Sequence, residues 1–157
     1  MIPAGSYQTR IAQRGWDKTQ KGDPQYVVEF EVTHGREMYT RVTLRCTFSE
    51  GAAKIAVEQL RRLGWRGVDL STLDAATLNE RHTIETTHRV VDGKTYVDVS
   101  VIAWVPKPGL YSAEDLRALS RRRHGAFAEI DRRLGLPEQP APPEQPEREP
   151  GSDDDFT

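Results

Sequence analysis

The chain has 157 residues, a formal net charge of −2 from 22 Lys and Arg against 24 Asp and Glu, and a single cysteine, Cys46. One cysteine excludes a disulfide framework and a multi-cysteine zinc site. Because no signal peptide and no membrane-length apolar run is visible, we expect a soluble cytoplasmic protein.

The charge is divided unevenly along the chain. Residues 137–157 contain one Arg and seven acidic residues, a net charge of −6, whereas the first 136 residues contain 21 basic and 17 acidic residues, a net charge of +4. A basic body with an acidic arm is typical of proteins that bind polyanions.

Alternation of apolar and polar residues predicts three strands in the first fifty residues, over 7–12, 26–32 and 41–48. The polar stretch 15–24 between the first two is predicted to be an exposed loop that ends in a turn at Gly22-Asp23-Pro24. His34-Gly35-Arg36 is predicted to connect the second and third strands as a hairpin.

A helix is predicted after the third strand, with Ser49 as its N-cap and Gly64 as its stop. Its apolar side contains Ile55, Leu60 and Leu63 at helical spacing.

Two more strands are predicted over 78–90 and 96–105, joined by a tight turn at Asp92-Gly93. A last helix is predicted over 112–134, with Arg121, Arg122 and Arg123 beside its apolar stripe. Three roles are open for it: packing against the strands, self-association, or contacts with phosphates.

The order strand, strand, strand, helix, strand, strand predicts a mainly β fold, a five-stranded Greek-key OB-fold barrel with its helix between strands three and four. We divide the chain into a barrel at 1–110, a C-terminal basic amphipathic helix at 111–136, and a disordered tail at 137–157. The tail is a proline-rich linker, which cannot build a core, followed by an acidic tip.

No catalytic motif is present in the sequence. The four histidines show no paired metal spacing, and there is no nucleophile elbow, phosphate loop or dinucleotide fingerprint. We therefore expect a binding protein rather than an enzyme, with no cofactor and no metal.

A protein that binds single-stranded nucleic acid needs cations that follow the phosphates and exposed aromatic rings that stack on bases. Trp16 lies among cations in the predicted first loop, so we expect it to stack on a base; the alternative is that it folds back as a lid on the barrel. The candidate nucleic-acid-binding residues are Arg10, Arg14, Trp16, Lys18, Lys21, Tyr39, Arg41, Arg45, His88, Arg89, Lys94 and Tyr96.

Residues 3–105 resemble phage-encoded OB-fold single-stranded DNA-binding proteins. The matching segments are Pro3-Ala4-Gly5-Ser6-Tyr7, Gly22-Asp23-Pro24, Phe30-Glu31-Val32, Ser49-Glu50-Gly51-Ala52 with Leu60-Arg61-Arg62-Leu63-Gly64, and Gly93-Lys94-Thr95-Tyr96. The resemblance implies a protein of DNA replication or recombination, in the cytoplasm of a bacterial host, that coats single-stranded DNA.

The tail resembles the acidic tip of bacterial single-stranded DNA-binding proteins, which docks onto replication and repair enzymes. On this resemblance Asp153, Asp154, Asp155 and Phe156 would bind the partner. The tail departs from that pattern because Thr157 follows the aromatic residue. The rival interpretations are a protein-interaction OB module whose tail mimics DNA and, less favoured, a nuclease or recombinase subunit.

Overall fold

The computed structural model describes residues 3–86, 88–91, 94–97 and 106–144, with side chains described for 3–85 and 106–144. The strands are β1 (Gly5–Lys18), β2 (Pro24–Val32), β3 (Arg41–Thr47), β4 (Arg81–Thr86), β5 (His88–Val91) and β6 (Lys94–Val97). The helices are α1 (Ala53–Arg62), α2 (Ala113–Arg122) and α3 (His124–Leu134), with a short 3₁₀ turn at Leu70–Thr72.

The first four strands form one antiparallel sheet in the order β3-β2-β1-β4. Strands β5 and β6 form a separate antiparallel pair, in which Val91 lies opposite Lys94. The predicted turn at Asp92-Gly93 lies outside the described residues. The predicted mainly β class is confirmed, as an open four-stranded sheet with three helices. Most of the predicted fifth strand, residues 98–105, lies outside the described residues.

One face of the sheet, the inner face, forms the core with the helices. Tyr26, Val28 and Phe30 alternate along this side of β2, and each is almost completely buried. Side chains from all three helices cover them, among them Leu60 from α1, Leu119 from α2 and Phe127 from α3. Of the three roles open for the C-terminal helix, packing is therefore the one that the structure shows.

Helix α1 begins later than predicted. Ser49 is not its N-cap, because residues 49–52 form a turn first and the cap is Ala52, which has no side-chain hydrogen bond. Leu60 and Leu63 are buried as predicted, but Ile55 is 61% exposed. The buried stripe of α1 follows Ala53, Ala56, Val57 and Leu60, and position 55 lies outside it. The stop at Gly64 is confirmed by its left-handed φ of 99°.

The predicted 112–134 helix is two helices. Ser112 caps α2 through a reciprocal pair of hydrogen bonds with Asp115. The helix is interrupted at Arg123, whose φ of −104° and ψ of 10° are not helical. The Arg123 guanidinium donates to the Phe48 carbonyl over 2.9 Å, so a contact with β3's end holds the break.

A buried ion pair joins α1 to α3. Arg61 Nε lies 2.6 Å from Asp131 Oδ1, and both side chains are at most 2% exposed. The same guanidinium donates to the carbonyls of Trp65 and Gly67, at 2.9 and 2.7 Å. Because each charge has hydrogen-bonding partners, the pair can be buried without a free charge.

Residues 136–144 have neither helix nor strand and lie against the helices. Arg121 Nη1 donates to the Pro143 carbonyl over 2.7 Å, and Pro142 is buried. The linker therefore contacts the body over its first residues, while the acidic tip at 151–157 lies outside the described residues.

Candidate nucleic-acid interface

The face of the sheet opposite the core, the outer sheet face, is polar. In one row across four strands, Arg81 of β4 lies opposite Arg10 of β1, which lies opposite Glu31 of β2, which lies opposite Arg41 of β3. The next row in the direction of the β1 C-terminus places Gln13, Glu29 and Thr43 side by side. Alternation thus brings the predicted cations of β1 and β3 onto one surface.

Carboxylates of β2 hold two of these arginines. Arg10 Nη2 lies 2.8 Å from Glu31, and Arg41 bridges Glu29 at 2.7 Å and Glu31 at 3.1 Å. The hydrogen bond from Arg10 lowers the pKa of Glu31, and the charges of both arginines act in the same direction. The side chains of Arg10 and Arg41 are 60% and 46% exposed, so they remain accessible to a ligand.

The third predicted arginine of the surface, Arg45, also faces a carboxylate. Its Nη1 lies 3.7 Å from Asp17 Oδ2, and Lys107 Nζ lies 2.6 Å from Asp17 Oδ1. A nucleic acid on this part of the face would meet cations that are already paired.

A β-bulge at Ala12 changes which side chains of β1 reach this face. Ile11 pairs with Phe30 and Gln13 with Glu29, so Ala12 is an extra residue with no partner. One extra residue exchanges the two faces of a strand. Beyond the bulge, Gln13 faces outward, while Arg14 and Trp16 face inward.

The predicted position of Trp16 in an exposed loop is therefore wrong. β1 continues to Lys18, and Trp16 is 5% exposed, with its ring 5.1 Å from Tyr26 and 6.0 Å from Tyr111. The lid alternative describes its surroundings better, because the ring closes one end of the core. A base cannot reach this ring while the core stays closed.

Arg14 is also directed inward, against our expectation of an exposed phosphate-binding side chain. It donates to the Tyr26 hydroxyl over 3.2 Å and to the Leu73 carbonyl over 2.9 Å, and it also contacts the Ala76 carbonyl. Tyr26 in turn donates to Asp74 over 2.9 Å. Burial, together with the Asp74 charge, raises the pKa of Tyr26. The guanidinium thus anchors the 70–76 turn to the sheet.

Two lysines of the predicted first loop do lie at the surface. Lys18 is the last residue of β1 and Lys21 is in the turn to β2, and both are exposed. Lys18 Nζ lies 6.0 Å from the centre of the Tyr111 ring. Both cations are therefore free to approach a phosphate.

Tyr39 is the predicted aromatic residue that the structure exposes most clearly. It lies in the β2–β3 hairpin with 71% of its surface accessible, and its φ is 76°. Its backbone N–H donates to the Val32 carbonyl over 2.8 Å, so the hairpin holds it in this conformation. A bulky residue in the left-handed region is an outlier that often marks a functional position.

The remaining predicted site residues cannot be placed side chain by side chain. The backbones of His88 and Arg89 lie in β5 and those of Lys94 and Tyr96 in β6, while their side chains lie outside the described ones. Asp153, Asp154, Asp155 and Phe156 also lie outside the described residues.

Sequence reasoning missed the β4 side of the surface. Arg81 and Thr83 of β4 lie opposite Arg10 and Gln8 of β1. The polar alternation of residues 81–85 was a sign of an exposed strand face, but the pairing of β4 with β1 spans seventy residues of sequence. Only the folded sheet brings these side chains together.

Within the described residues, no group of three or more histidine, cysteine or acidic side chains is arranged to hold a metal. No helix in that part of the chain has the length and apolarity to cross a bilayer. Comparison with protein-family models and with curated proteins gave no match.

Proposed function

We propose that the protein binds single-stranded DNA without sequence preference, as a non-enzymatic phage or prophage protein of replication or recombination. The outer sheet face and the β2–β3 hairpin would form the binding surface. The acidic tail would recruit a protein of the replication or recombination machinery.

The observation that carries this proposal is the conformation of Tyr39. An exposed aromatic ring in a left-handed backbone costs roughly 1–2 kcal/mol relative to glycine and adds nothing to the core. Stacking of the exposed ring on a base would account for this cost. Such stacking does not depend on base identity, so it suits binding without sequence preference.

The arginines of the outer sheet face support the same proposal. Arg10 and Arg41 are fixed by carboxylates, yet each guanidinium has more N–H donors than its hydrogen bonds to Glu29 and Glu31 use. Oriented, partly exposed guanidinium groups can bind phosphates at a small cost in side-chain entropy. The same carboxylates would repel phosphates, so we expect moderate affinity that falls steeply with salt.

A five-stranded OB barrel is compatible with the observed strand order. The described sheet ends at β3 on one side and β4 on the other. The outer face of strands two and three is the surface by which OB folds bind oligonucleotides.

One observation favours the rival, a protein-interaction module that does not bind nucleic acid. Arg10, Arg41 and Arg45 all have carboxylate neighbours in the free protein. No polyanion is therefore needed to satisfy their charges, and the surface could serve a protein partner with both kinds of charge.

A binding titration separates the two. A fluorescently labelled oligo(dT) at low salt should bind, and a duplex of the same length should bind much more weakly. Tyr39→Ala should weaken oligo(dT) binding by about 1–3 kcal/mol, while Ile55→Ala, which removes another exposed large side chain, should not. If the wild-type protein has no affinity for the oligonucleotide, the protein-interaction interpretation replaces ours.

The tail is tested separately by capture of partners from a bacterial lysate. Removal of residues 151–157, or Phe156→Ala, should abolish partner capture and leave oligo(dT) binding intact or stronger. Equal capture by intact and truncated protein would show that the tail serves only solubility.

A further inference from the structure

Two arginines of the outer sheet face lie directly opposite each other. Arg10 of β1 pairs with Arg81 of β4 in the antiparallel register. Like charges in directly opposite positions destabilise a sheet. The charge of Arg10 is balanced by an ion pair with Glu31 at 2.8 Å, whereas Arg81 makes no ion pair with any described residue.

A small cavity opens beside Arg81, between β1, β4 and the start of the β2–β3 hairpin. Its volume is about 160 Å³, and the described residues of its lining include no carboxylate. The lining residues are Gln8, Thr9, Thr33, His34, Arg81, His82 and Thr83. Pockets for drug-sized ligands measure roughly 300–1,000 Å³, so this one suits a small anion.

The donors around the cavity are largely unused. The side chains of Gln8, Arg81 and Thr83 have no hydrogen-bonding partner among the described residues. Thr33 is held in place, because its Oγ1 lies 3.1 Å from the Gln8 carbonyl and 2.8 Å from His34 Nδ1. A guanidinium, a hydroxyl and an amide that converge on one small space are the groups that bind phosphate oxygens.

We infer that this cavity is a phosphate subsite, and that its ligand is a phosphodiester of the bound nucleic acid strand. The inference rests on the proposed single-stranded DNA binding. The subsite differs from the rest of the outer face, where Arg10, Arg41 and Arg45 share their charge with carboxylates. Here a phosphate would bind the guanidinium of Arg81, which has no ion pair within the described part of the chain, and would also reduce its repulsion with Arg10.

The position of the cavity fits a strand that continues towards Tyr39. A wider cavity of about 470 Å³ shares Gln8 and His34 with it and extends along the β2–β3 hairpin to Arg36. The hairpin that lines both cavities also carries Tyr39. A phosphate in the subsite and a base on Tyr39 would therefore be bound by one loop and the adjoining strands.

The test compares two variants that remove the same charge. Arg81→Gln should weaken oligo(dT) binding about tenfold, the effect of one charge-assisted hydrogen bond. It should also reduce the slope of log Kd against log salt by roughly one unit. Arg62→Gln, at an exposed position of α1, should change neither quantity. Thr83→Val, which removes a hydroxyl at nearly constant volume, should give a smaller loss than Arg81→Gln.

Thermal denaturation separates binding from folding. Because Arg81 faces Arg10, Arg81→Gln should leave the melting temperature unchanged or raised, so its loss of affinity would not reflect unfolding. A titration with inorganic phosphate, followed by amide NMR shifts of Gln8, Thr33 and Thr83, reports on the cavity without DNA. These shifts should disappear in Arg81→Gln.

The outcomes distinguish the subsite from the proposed function. If the wild type binds oligo(dT) and Arg81→Gln behaves like Arg62→Gln, the subsite is overturned and the function survives. If the wild type binds no oligonucleotide but phosphate shifts the three amides, the function fails and the cavity is a site for free phosphate. Absence of both responses overturns both.

Discussion

Trp16 and Tyr39 are both aromatic residues in polar, basic surroundings of the sequence, and the fold uses them in opposite ways. Trp16 is 5% exposed, in contact with Tyr26 and Phe48. Tyr39 is 71% exposed in a hairpin. The difference arises in the backbone, because a bulge at Ala12 turns Trp16 inward and a left-handed φ presents Tyr39 to solvent.

The comparison shows that local composition does not identify a stacking residue. Arg14, Asp17, Lys18 and Lys21 around Trp16 indicate an exposed loop, yet the strand continues and the ring joins the core. A residue that is exposed at a conformational cost is a better candidate than one that merely lies near cations. Variants that change the surroundings of only one of the two rings test this difference.

Insertion of one alanine between Gln13 and Arg14 should have the largest effect. With regular alternation beyond the insertion, β1 would place Asp17 on the inner face and Arg14 and Trp16 on the outer face. We expect a loss of more than about 4 kcal/mol in the free energy of unfolding, or no folded protein. Circular dichroism and thermal denaturation measure this. Deletion of Ala12 is the control, because it removes only the unpaired residue of the bulge and leaves every paired side chain on its present face; an insertion variant as stable as this control would show that the direction of Trp16 does not depend on the register of β1.

Trp16→Ala should lower the free energy of unfolding by about 3–5 kcal/mol, because it leaves a cavity in the core. Chemical denaturation measures the loss. Tyr39→Ala is the matched variant at the exposed position and should change stability by less than about 1 kcal/mol. Similar losses in the two variants would contradict the burial difference.

The core beside Trp16 should also be sensitive to alkaline pH. Cys46 pairs with Tyr26 across β2 and β3, and burial raises the pKa of its thiol to about 12 from the usual 9.0. The unfolded chain therefore loses this proton first as pH rises, so stability is intact below pH 9 and falls above it. We expect unfolding to be about 1.4 kcal/mol easier at pH 10 than at pH 8 from this group. Urea denaturation of the wild type and Cys46→Ala at both pH values isolates the contribution, since the variant should lack it.

Tyr39→Gly should have the smallest effect on stability and the opposite sign. Glycine adopts the left-handed conformation without steric cost, although it increases the entropy of the unfolded chain. We expect a gain of up to about 1 kcal/mol, measured by denaturation, together with weaker oligo(dT) binding. A destabilised Tyr39→Gly variant would mean that the ring supports the hairpin rather than a ligand.

The sequence identified the outer sheet face better than the loops. Arg10, Arg41 and Arg45 were predicted as binding residues, and the register places them on one face, because each lies in a regular part of a strand where side chains alternate between the two faces. The carboxylate partners of these arginines and the Arg10–Arg81 pair could not be predicted from the sequence, since they depend on which strands are neighbours in the sheet. The helical break at Arg123 likewise depends on a carbonyl of Phe48, distant in sequence.

The amino-acid pattern alone determined the mainly β class, the strands β2 and β3, the helix stop at Gly64 and the helix start near Ser112, because each depends on side chains within a few residues. The tertiary structure decided the inward direction of Arg14 and Trp16, the exposure of Ile55 and the position of Arg81. Each of these depends on a register or a packing surface formed by residues far apart in the chain, where small local preferences are outweighed by burial in one shared core.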